Sequence, residues 1–272
     1  MLLRIIFYPF LTLLCLIMIG CGESSSNQFK NLNSAKWVDL THTYDQATLY
    51  WPNNTKGFEH HEEYKGITPG DYFYSSYSIS TPEHGGTHLD APIHFAEKGL
   101  TLDLIPVDSL VGTAVVIDVR KKTAQDSDYQ IQVSDLVDWE NTHGEISAGS
   151  MIFFHTGYGR LYPDRKKYFG TDKKGAEAIS ELHFPGISSD ASMWLVEKRK
   201  PKAVGIDTAS IDYGQSKDFK THRILLGNNI PGFENVANLD SLPPKGAFVI
   251  ALPMKIGKGS GGPLRIVAAL PN

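Results

Sequence analysis

The segment His84-Gly85-Gly86-Thr87-His88-Leu89-Asp90-Ala91-Pro92-Ile93-His94 carries most of the chemistry that this sequence reveals. The chain has ten histidines, and three of them lie with an aspartate in this segment, at positions 84, 88, 90 and 94. Because all four positions are even, their side chains start on one face of an extended segment. The two glycines and the proline allow the chain to turn. We therefore predict that the four side chains converge on one point.

These side chains carry the donor atoms of a metal site. Imidazole nitrogens and carboxylate oxygens bind zinc, manganese or iron, and an aspartate can also bridge two ions. Structural zinc sites favour cysteine, but the chain has only Cys15 and Cys21. The pattern therefore predicts a catalytic site with open coordination positions. The alternative is that the histidines are surface residues or satisfied core residues on a turn.

The composition narrows the class of partner. The 272 residues are 41% hydrophobic and 21% charged, which is typical of a soluble globular protein. The formal net charge is -4 and the pI is about 6.2, whereas binding to phosphates of a nucleic acid calls for a clustered basic surface. We therefore expect a small-molecule substrate and no nucleic acid.

The first twenty residues are typical of a targeting segment. Residues 5–20 carry no charge, but Pro9 interrupts them and the run is short for a membrane span. Residues 1–20 are therefore predicted to be a signal peptide, residues 21–34 a flexible polar tether, and residues 35–272 the folded domain.

The end of this segment, Leu16-Ile17-Met18-Ile19-Gly20-Cys21, resembles the lipobox of bacterial lipoproteins. The resemblance implies that Cys21 carries a lipid and tethers the domain to a membrane outside the cytoplasm, in the periplasm or at the cell surface. One cysteine would remain, which rules out an intramolecular disulfide in the mature chain. The alternative is a plain secretory signal that is cleaved elsewhere.

The body of the chain alternates between strand-like and helix-like segments. Apolar and β-branched runs predict strands over residues 37–42, 72–81, 112–119, 150–155, 203–207, 246–252 and 264–270. Helices are predicted over residues 134–139, with Ser134 as the cap, and over residues 188–198 and 219–226. Strands outnumber helices, so we predict one α/β domain with a sheet-rich core and peripheral helices.

The His84–His94 segment also resembles the signature His-x-Gly-Thr-His-x-Asp-x-Pro-x-His of the cyclase-like metal hydrolases. This family includes bacterial kynurenine formamidase and isatin hydrolase. The resemblance extends over most of the chain, through Asp39-Leu40-Thr41, Trp51-Pro52, Phe184-Pro185-Gly186-Ile187-Ser188, Val204-Gly205-Ile206-Asp207-Thr208, His222-Arg223-Ile224-Leu225-Leu226 and Gly261-Gly262-Pro263-Leu264-Arg265. It implies a swivelling β/β/α fold.

The resemblance also implies roles for individual residues. His94 would carry protons, and Trp51 would flank the substrate, although Trp51 could equally be a core aromatic. The formamidase branch has a further histidine and glutamate twelve residues apart, a spacing that His222 and Glu234 share here. The implied ligands of one or two zinc or manganese ions are then His84, His88, Asp90, His222 and Glu234.

The expected reaction is hydrolysis of an amide. The spacing of His222 and Glu234 favours the arylformamidase type, which converts N-formylkynurenine to kynurenine and formate. One alternative is opening of a cyclic amide or lactone, as in isatin hydrolase, and another is a lipid-anchored protein that binds a metal or solute without catalysis.

The resemblance implies a homo-oligomer. We further expect His60-His61 to lie in a solvated loop, and His155-Thr156-Gly157-Tyr158 to line the pocket.

Overall fold

A sheet that closes on itself forms the centre of the protein. The computed structural model describes Leu32 and residues 34–270. The described residues form twelve strands: β1 Trp37–Asp39, β2 Glu59–Ile67, β3 Phe73–Ser80, β4 His88–Asp90, β5 Val111–Asp118, β6 Gln130–Ile131, β7 Met151–His155, β8 Gly186–Ile187, β9 Ala203–Ile206, β10 Gly232–Glu234, β11 Lys245–Pro253 and β12 Gly261–Ala269. Eight of these strands form one sheet, in the order β1-β12-β11-β5-β7-β9-β10-β4.

The sheet closes because β12 pairs with two strands along one edge. Residues 261–263 of β12 pair with β4, and residues 267–269 pair with β1, both antiparallel. The first pairing joins β4, at one end of the row, to β12, which is next to the other end, so that the seven strands from β12 to β4 form a barrel and β1 lies outside it. Strands β5, β7 and β9 run parallel to one another. The short strand β4, which carries His88 and Asp90, is therefore held on both sides, by β12 and by β10.

The helices lie outside the sheet. The described residues form five α-helices: α1 Arg120–Thr123, α2 Val133–His143, α3 Arg165–Phe169, α4 Ser189–Trp194 and α5 Lys220–Gly227. A turn of π-helix, Leu195–Arg199, extends α4. No helix among the described residues is long and apolar enough to cross a bilayer.

The parallel strands are apolar on both faces because each face packs against a different layer. On β7, Met151 and Phe153 belong to a core cluster with Phe233 and Val249, which come from other strands of the barrel. The alternate residue Phe154 belongs to a second cluster, which includes Leu136, Trp139, Leu195 and Leu225 from the helices. The predicted α/β class, with a sheet-rich core and peripheral helices, is thereby confirmed.

Most predicted elements are present, with two local corrections. Helix α2 begins earlier than predicted, because Gln132 rather than Ser134 is its N-cap and forms a capping box with Asp135. Residues His60 and His61 do not lie in a loop. They lie in β2, which pairs with β3 as an antiparallel hairpin, and the alternation of this strand is obscured because both of its faces are exposed.

The predicted signal peptide over residues 1–20 and the lipid attachment site Cys21 lie outside the described residues, as does most of the predicted tether. The described residues from Ala35 onward belong to one compact unit.

Candidate metal centre

Strands β4 and β10 bring three potential ligands together. Their register pairs His88 with Glu234 and Asp90 with Gly232. Residues directly opposite each other, and residues two apart on one strand, share a face of the sheet, so His88, Asp90 and Glu234 project into one site. All three are buried. The Nε2 atom of His88 lies 3.2 Å from Asp90 Oδ1 and 3.5 Å from Glu234 Oε2.

A glycine turn carries His84 back to the same point. Gly85 and Gly86 have φ angles of 149° and 58°, which favour glycine. A Cβ atom on Gly85 would lie 2.1 Å from the ring of Tyr50, so the turn also has no room for a side chain. The result is a distance of 2.6 Å between His84 Nδ1 and Asp90 Oδ1.

His222 reaches the site from helix α5. Its Nε2 atom lies 3.1 Å from Asp90 Oδ2 and 3.2 Å from Glu234 Oε1. Its Nδ1 atom lies 2.6 Å from Asp212 Oδ2. Asp212 is itself held in place, because it accepts hydrogen bonds from the backbone N–H groups of Thr221 and His222.

The five side chains form two groups that share Asp90. His84, His88 and Asp90 form one group, and Asp90, His222 and Glu234 form the other, with the ligand atoms of each group within 4.8 Å of one another. His88 Nδ1 donates to the Gly86 carbonyl and His222 Nδ1 faces Asp212, so the Nε2 atoms of both are left to face the cluster. A hydrogen-bonded second nitrogen is typical of metal-binding histidines. These residues therefore fit a divalent cation that takes nitrogen and oxygen ligands.

The electrostatics of the cluster favour a cation. Burial alone would raise the pKa of Asp90, but the charge of His84 and hydrogen bonds from His222, His84 and His88 lower it well below its usual value. Burial and the neighbouring Asp90 raise the pKa of Glu234. Burial would lower the pKa of His88, but its contacts with Asp90 and Glu234 raise it to about 9. The positive charge of the protonated histidines thus compensates the negative charge of the buried carboxylates. A bound cation can take the place of these protons.

The cluster lies at a pocket of about 230 Å³ whose other walls are largely apolar. The apolar and aromatic residues of its lining are Leu49, Tyr50, Trp51, Phe95, Phe169, Ala209 and Phe219. Trp51 therefore lies beside the cluster, although it also contacts Phe184 at 6.3 Å between ring centroids. The pocket has the size and character of a site for a small aromatic molecule.

His94 also lines this pocket without joining either ligand group. Its ring stacks on His84, with 3.9 Å between the centroids, at the end of a 3-10 turn over Pro92–His94. A group that carries protons is most effective when its pKa lies near the working pH. Instead, burial lowers the pKa of His94 to about 4, an effect that Asp90 opposes and the neighbouring histidines reinforce. His94 is therefore neutral at pH 7.

Other residues of the site carried no recognisable signal in the sequence. Asp212 is an isolated acidic residue that resembles a capping group. Ser260 lies 2.9 Å from His84 Nε2 and donates to Glu83 at 2.6 Å, yet 176 residues separate it from His84 along the chain. Phe95 packs 4.5 Å from the His222 ring. Only the folded chain brings these residues to the site.

The segment from His155 to Tyr158 does not line this pocket, so that prediction is wrong. His155 and Gly157 line a separate cavity of about 200 Å³. The reason is local: Asp207 accepts hydrogen bonds of 2.8 Å from the backbone N–H groups of Thr156 and Gly157. These bonds hold the segment at Asp207, which lines the separate cavity as well.

Comparison with known proteins gives consistent matches over most of the chain. Isatin hydrolase of Roseibium aggregatum is 33% identical over 228 residues, which are 80% of this chain and 83% of the relative. Kynurenine formamidase of Salinibacter ruber is 28% identical over 237 residues, which are 85% of this chain and 95% of the relative.

Solved structures resemble the fold. An isatin hydrolase bound to the product analogue thioisatinate has a TM-score of 0.79 and 30% identity, covering 88% of this chain and 94% of that one. Isatin hydrolase A from Labrenzia aggregata, bound to benzyl benzoate, has a TM-score of 0.79 and 32% identity, covering 92% and 100%. Residues 38–213 match the family described as "Putative cyclase". This chain therefore belongs to the Cyclase family.

Proposed function

We propose that this protein is a divalent-metal-dependent hydrolase that cleaves the carbon–nitrogen bond of an amide attached to an aromatic ring. The observation that carries the proposal is the meeting of two ligand groups at Asp90, at the wall of a largely aromatic pocket. The named relatives support it, since they are an isatin hydrolase and a kynurenine formamidase. We also propose the predicted swivelling β/β/α fold, with which the closed barrel is consistent.

The proposed cofactor is zinc or manganese, with one or two ions held by His84, His88, Asp90, His222 and Glu234. When bound, the cation would polarise the scissile carbonyl and lower the pKa of a water molecule at the site. The same nitrogen and oxygen ligands accept both zinc and manganese. The concentration of each metal in the compartment that contains the protein therefore decides which one binds.

The chain's own residues bind the substrate and move the proton. Trp51, Phe95 and Phe219 offer aromatic surfaces that hold a planar ring and exclude water. Neutral His94 accepts a proton from the attacking water and donates it to the amide nitrogen as the carbon–nitrogen bond breaks. Water adds hydroxyl to the carbonyl carbon and hydrogen to the nitrogen, so an aryl formamide yields formate and an aryl amine.

We place the arylformamidase reaction first, because the pairing of His222 with Glu234 in the second ligand group is the arrangement expected for that branch. Opening of a cyclic amide is the second candidate. It is favoured by the isatin hydrolase relative at 33% identity and by the isatin hydrolase structures with TM-scores of 0.79.

Replacing His94 with Ala tests the proposed enzyme against the alternative of a metal-binding protein without catalysis. We expect unchanged metal content and a loss of aryl formamide hydrolysis of about 10²- to 10⁴-fold, the usual effect of a general acid–base. His143→Ala, on the outer helix α2, is the matched control and should retain activity. A wild-type protein that binds metal but hydrolyses no formamide, cyclic amide or lactone would favour the binding protein.

A direct comparison of substrates separates the two candidate reactions. We expect kcat/KM for N-formylkynurenine to exceed kcat/KM for isatin, measured on the same metal-loaded preparation. The reverse order would assign ring opening to the pocket, and equal values would indicate a site that does not distinguish open from cyclic amides.

We also propose that the mature protein lies outside the cytoplasm, anchored through a lipid on Cys21. Growth of the producing cells with labelled palmitate should label the wild-type protein and leave Cys21→Ala unlabelled. Label on both proteins, or on neither, would contradict the anchor.

A further inference from the structure

Glu83, Ser260 and His84 form a chain of hydrogen bonds at the edge of the metal cluster. Glu83 directly precedes His84, whereas Ser260 lies immediately before β12. The Oγ atom of Ser260 lies 2.6 Å from Glu83 Oε2 and 2.9 Å from His84 Nε2. The backbone N–H group of Ser260 also donates to Glu83 Oε2, at 2.9 Å. The carboxylate therefore holds Ser260 through two hydrogen bonds.

The donors and acceptors of this chain determine where the hydrogen of the His84 ring lies. An ionised carboxylate only accepts hydrogen bonds, so the Ser260 hydroxyl donates its single hydrogen to Glu83. The oxygen of this hydroxyl can then only accept from His84, and Nε2 of that ring is the donor. A neutral imidazole has one N–H group, so its lone pair is left on Nδ1. This Nδ1 atom is the one that lies 2.6 Å from Asp90 Oδ1.

His84 therefore differs from the other two histidines of the cluster. His88 and His222 use Nδ1 for a hydrogen bond within the protein and present Nε2 to the cluster. In His84 the two ring nitrogens have exchanged these roles. Ser260 is the only hydrogen-bond partner of His84 Nε2 in the described part of the chain. Without Ser260, the hydrogen of the neutral ring could lie on either nitrogen.

The backbone of the barrel fixes the position of Ser260. Its carbonyl oxygen accepts a hydrogen bond of 2.9 Å from the N–H group of Ala91, and the next residue, Gly261, is paired with β4. The ring of His84 also stacks on His94, with 3.9 Å between the centroids. The contact with Ser260 thus orients a proposed ligand and supports the ring of the proposed proton carrier.

We propose that Glu83, acting through Ser260, is a positioning residue that keeps the Nδ1 atom of His84 free to bind the cation. The inference rests on the metal binding that is part of the proposed function, and neither Glu83 nor Ser260 is a ligand in it. Hydrogen bonds in a chain polarise one another, so the carboxylate makes the Ser260 oxygen a better acceptor. Carboxylates commonly support metal-binding histidines, and here the support passes through a hydroxyl group.

The nuclear magnetic resonance spectrum of the histidine rings tests the proposed arrangement in the zinc-loaded wild-type chain. With heavy-nitrogen label in the histidines, long-range proton–nitrogen correlations show which ring nitrogen carries the hydrogen and which one binds zinc. We expect His84 to bind through Nδ1 with its hydrogen on Nε2, and the reverse for His88 and His222. A His84 ring that binds zinc through Nε2 would overturn the proposal. This measurement needs neither a substitution nor an activity assay.

The affinity for zinc, measured by competition with a chelating dye, tests the two supporting residues. Ser260→Ala and Glu83→Ala should each raise the Kd of zinc about 10- to 100-fold, the usual effect of losing a group that supports a metal-binding histidine. Because both residues act through one chain of hydrogen bonds, the double variant should bind zinc about as weakly as the weaker single variant. Independent effects that multiply in Kd would contradict the chain.

Asp103→Ala is the matched control. Asp103 holds the same segment before β12, because its Oδ1 atom accepts hydrogen bonds of 2.8 Å from the Lys258 backbone and 2.7 Å from the Thr101 hydroxyl. The control should bind zinc as the wild type does. If it binds as weakly as Ser260→Ala, these contacts only order the segment and the proposal fails.

The affinities also separate this inference from the proposed function. Zinc binding that is equally tight in the wild type and in the Glu83 and Ser260 variants would refute the positioning role alone. A wild-type chain that binds no zinc or manganese would refute the metal-dependent function together with it.

Discussion

At Asp90, the two carboxylate oxygens point to different partners. Oδ1 faces His84 at 2.6 Å and His88 at 3.2 Å, whereas Oδ2 faces His222 at 3.1 Å. One carboxylate therefore belongs to both ligand groups, which is the arrangement that a bridging ligand needs. The residues that hold the second ring nitrogens of these histidines act mainly by orienting the imidazole rings.

Asp212 is the clearest case of such a positioning residue. In Asp212→Asn, the amide would replace a charged acceptor of His222 Nδ1 and weaken the orientation of this ring. We expect the metal affinity to fall about 10- to 100-fold, with activity largely recovered at saturating metal. Metal titration with an activity readout measures both effects.

The control for this variant is Asp218→Asn, an exposed residue that pairs with Lys220 near the start of α5. It should bind metal as the wild type does. An unchanged metal affinity in Asp212→Asn would show that Asp212 does not position His222.

Because Gly261 has no side chain, the ring of His84 can occupy the space beside it. A Cβ atom here would lie 2.5 Å from His84 Cε1 and 2.6 Å from the Leu89 carbonyl oxygen, and the latter belongs to the barrel backbone. Gly261→Ala should therefore displace His84 and lower the metal content measured by elemental analysis. Gly257→Ala, which meets nothing within 4 Å, is the control and should bind metal normally. Equal metal content in the two variants would refute this account of the turn.

Whether the sequence predicts the role of a site residue depends on how far apart the residues of the site lie along the chain. His84, His88, Asp90 and His94 are recognisable because they lie within eleven residues. His222 and Glu234 became candidates only through the family resemblance, since each alone resembles a solvated residue. Asp212 and Ser260 could not be predicted, because their role arises from contacts that form between distant parts of the chain.

Among the elements, strand patterns predicted the long strands of the sheet better than the short segments that support the site. The buried runs of β5, β7 and β9 are apolar on both faces and therefore conspicuous. Strand β4 has only three residues, too few for a pattern, and is defined by its pairing with β10 and β12. The hairpin strand β2 carries charged residues on both faces and gives no alternation.

An ion pair joins two elements of the helical layer and gives a pH-dependent stability. Arg199 in the π-helical turn donates to Glu140 in α2 at 2.5 and 2.7 Å. We expect Glu140→Gln to lower the free energy of unfolding at pH 7 by about 1–2 kcal/mol, because hydrogen bonds to charged groups contribute about 1.5–3 kcal/mol and the amide oxygen retains part of the interaction. Asp138→Asn, on the exposed face of α2, is the control.

The sign of the pH effect follows from the pKa of Glu140, which the hydrogen bond from Arg199 lowers against an opposing effect of burial. A lowered pKa stabilises the folded state above the pKa of the unfolded glutamate, about 4.3, and this stability is lost as the pH falls through the folded-state pKa. The difference in the free energy of unfolding between the wild type and Glu140→Gln should therefore be constant from about pH 8 to 5.5 and shrink below about pH 4. If this difference grew at acid pH instead, the ion pair would not be the source of the stability.

At the scale of the whole molecule, the candidate metal ligands lie where the barrel closes. Strand β4 completes the barrel between β10 and β12, and it carries His88 and Asp90. The pairing of β4 with β12 joins residues more than 170 positions apart, so the sequence could not predict the closure. A cation at Asp90 would connect β4, β10 and α5 and thereby stabilise the closed barrel.

Chelation should therefore lower the melting temperature. A ligand at 100 times its dissociation constant stabilises the folded state by about 2.7 kcal/mol, which corresponds to roughly 5–10 °C for a chain of this size. Calorimetry of metal-loaded and chelated protein measures the shift, and His88→Ala should show none. An equal shift in His88→Ala would mean that the stabilising ion binds elsewhere.

Anomalous diffraction from crystals grown with manganese shows directly where the cation binds. We predict anomalous density at the shared Asp90 carboxylate, about 2.0–2.3 Å from its oxygens and from the facing histidine nitrogens. A cation that binds elsewhere, or crystals that bind none at this cluster while the protein still hydrolyses amides, would contradict it.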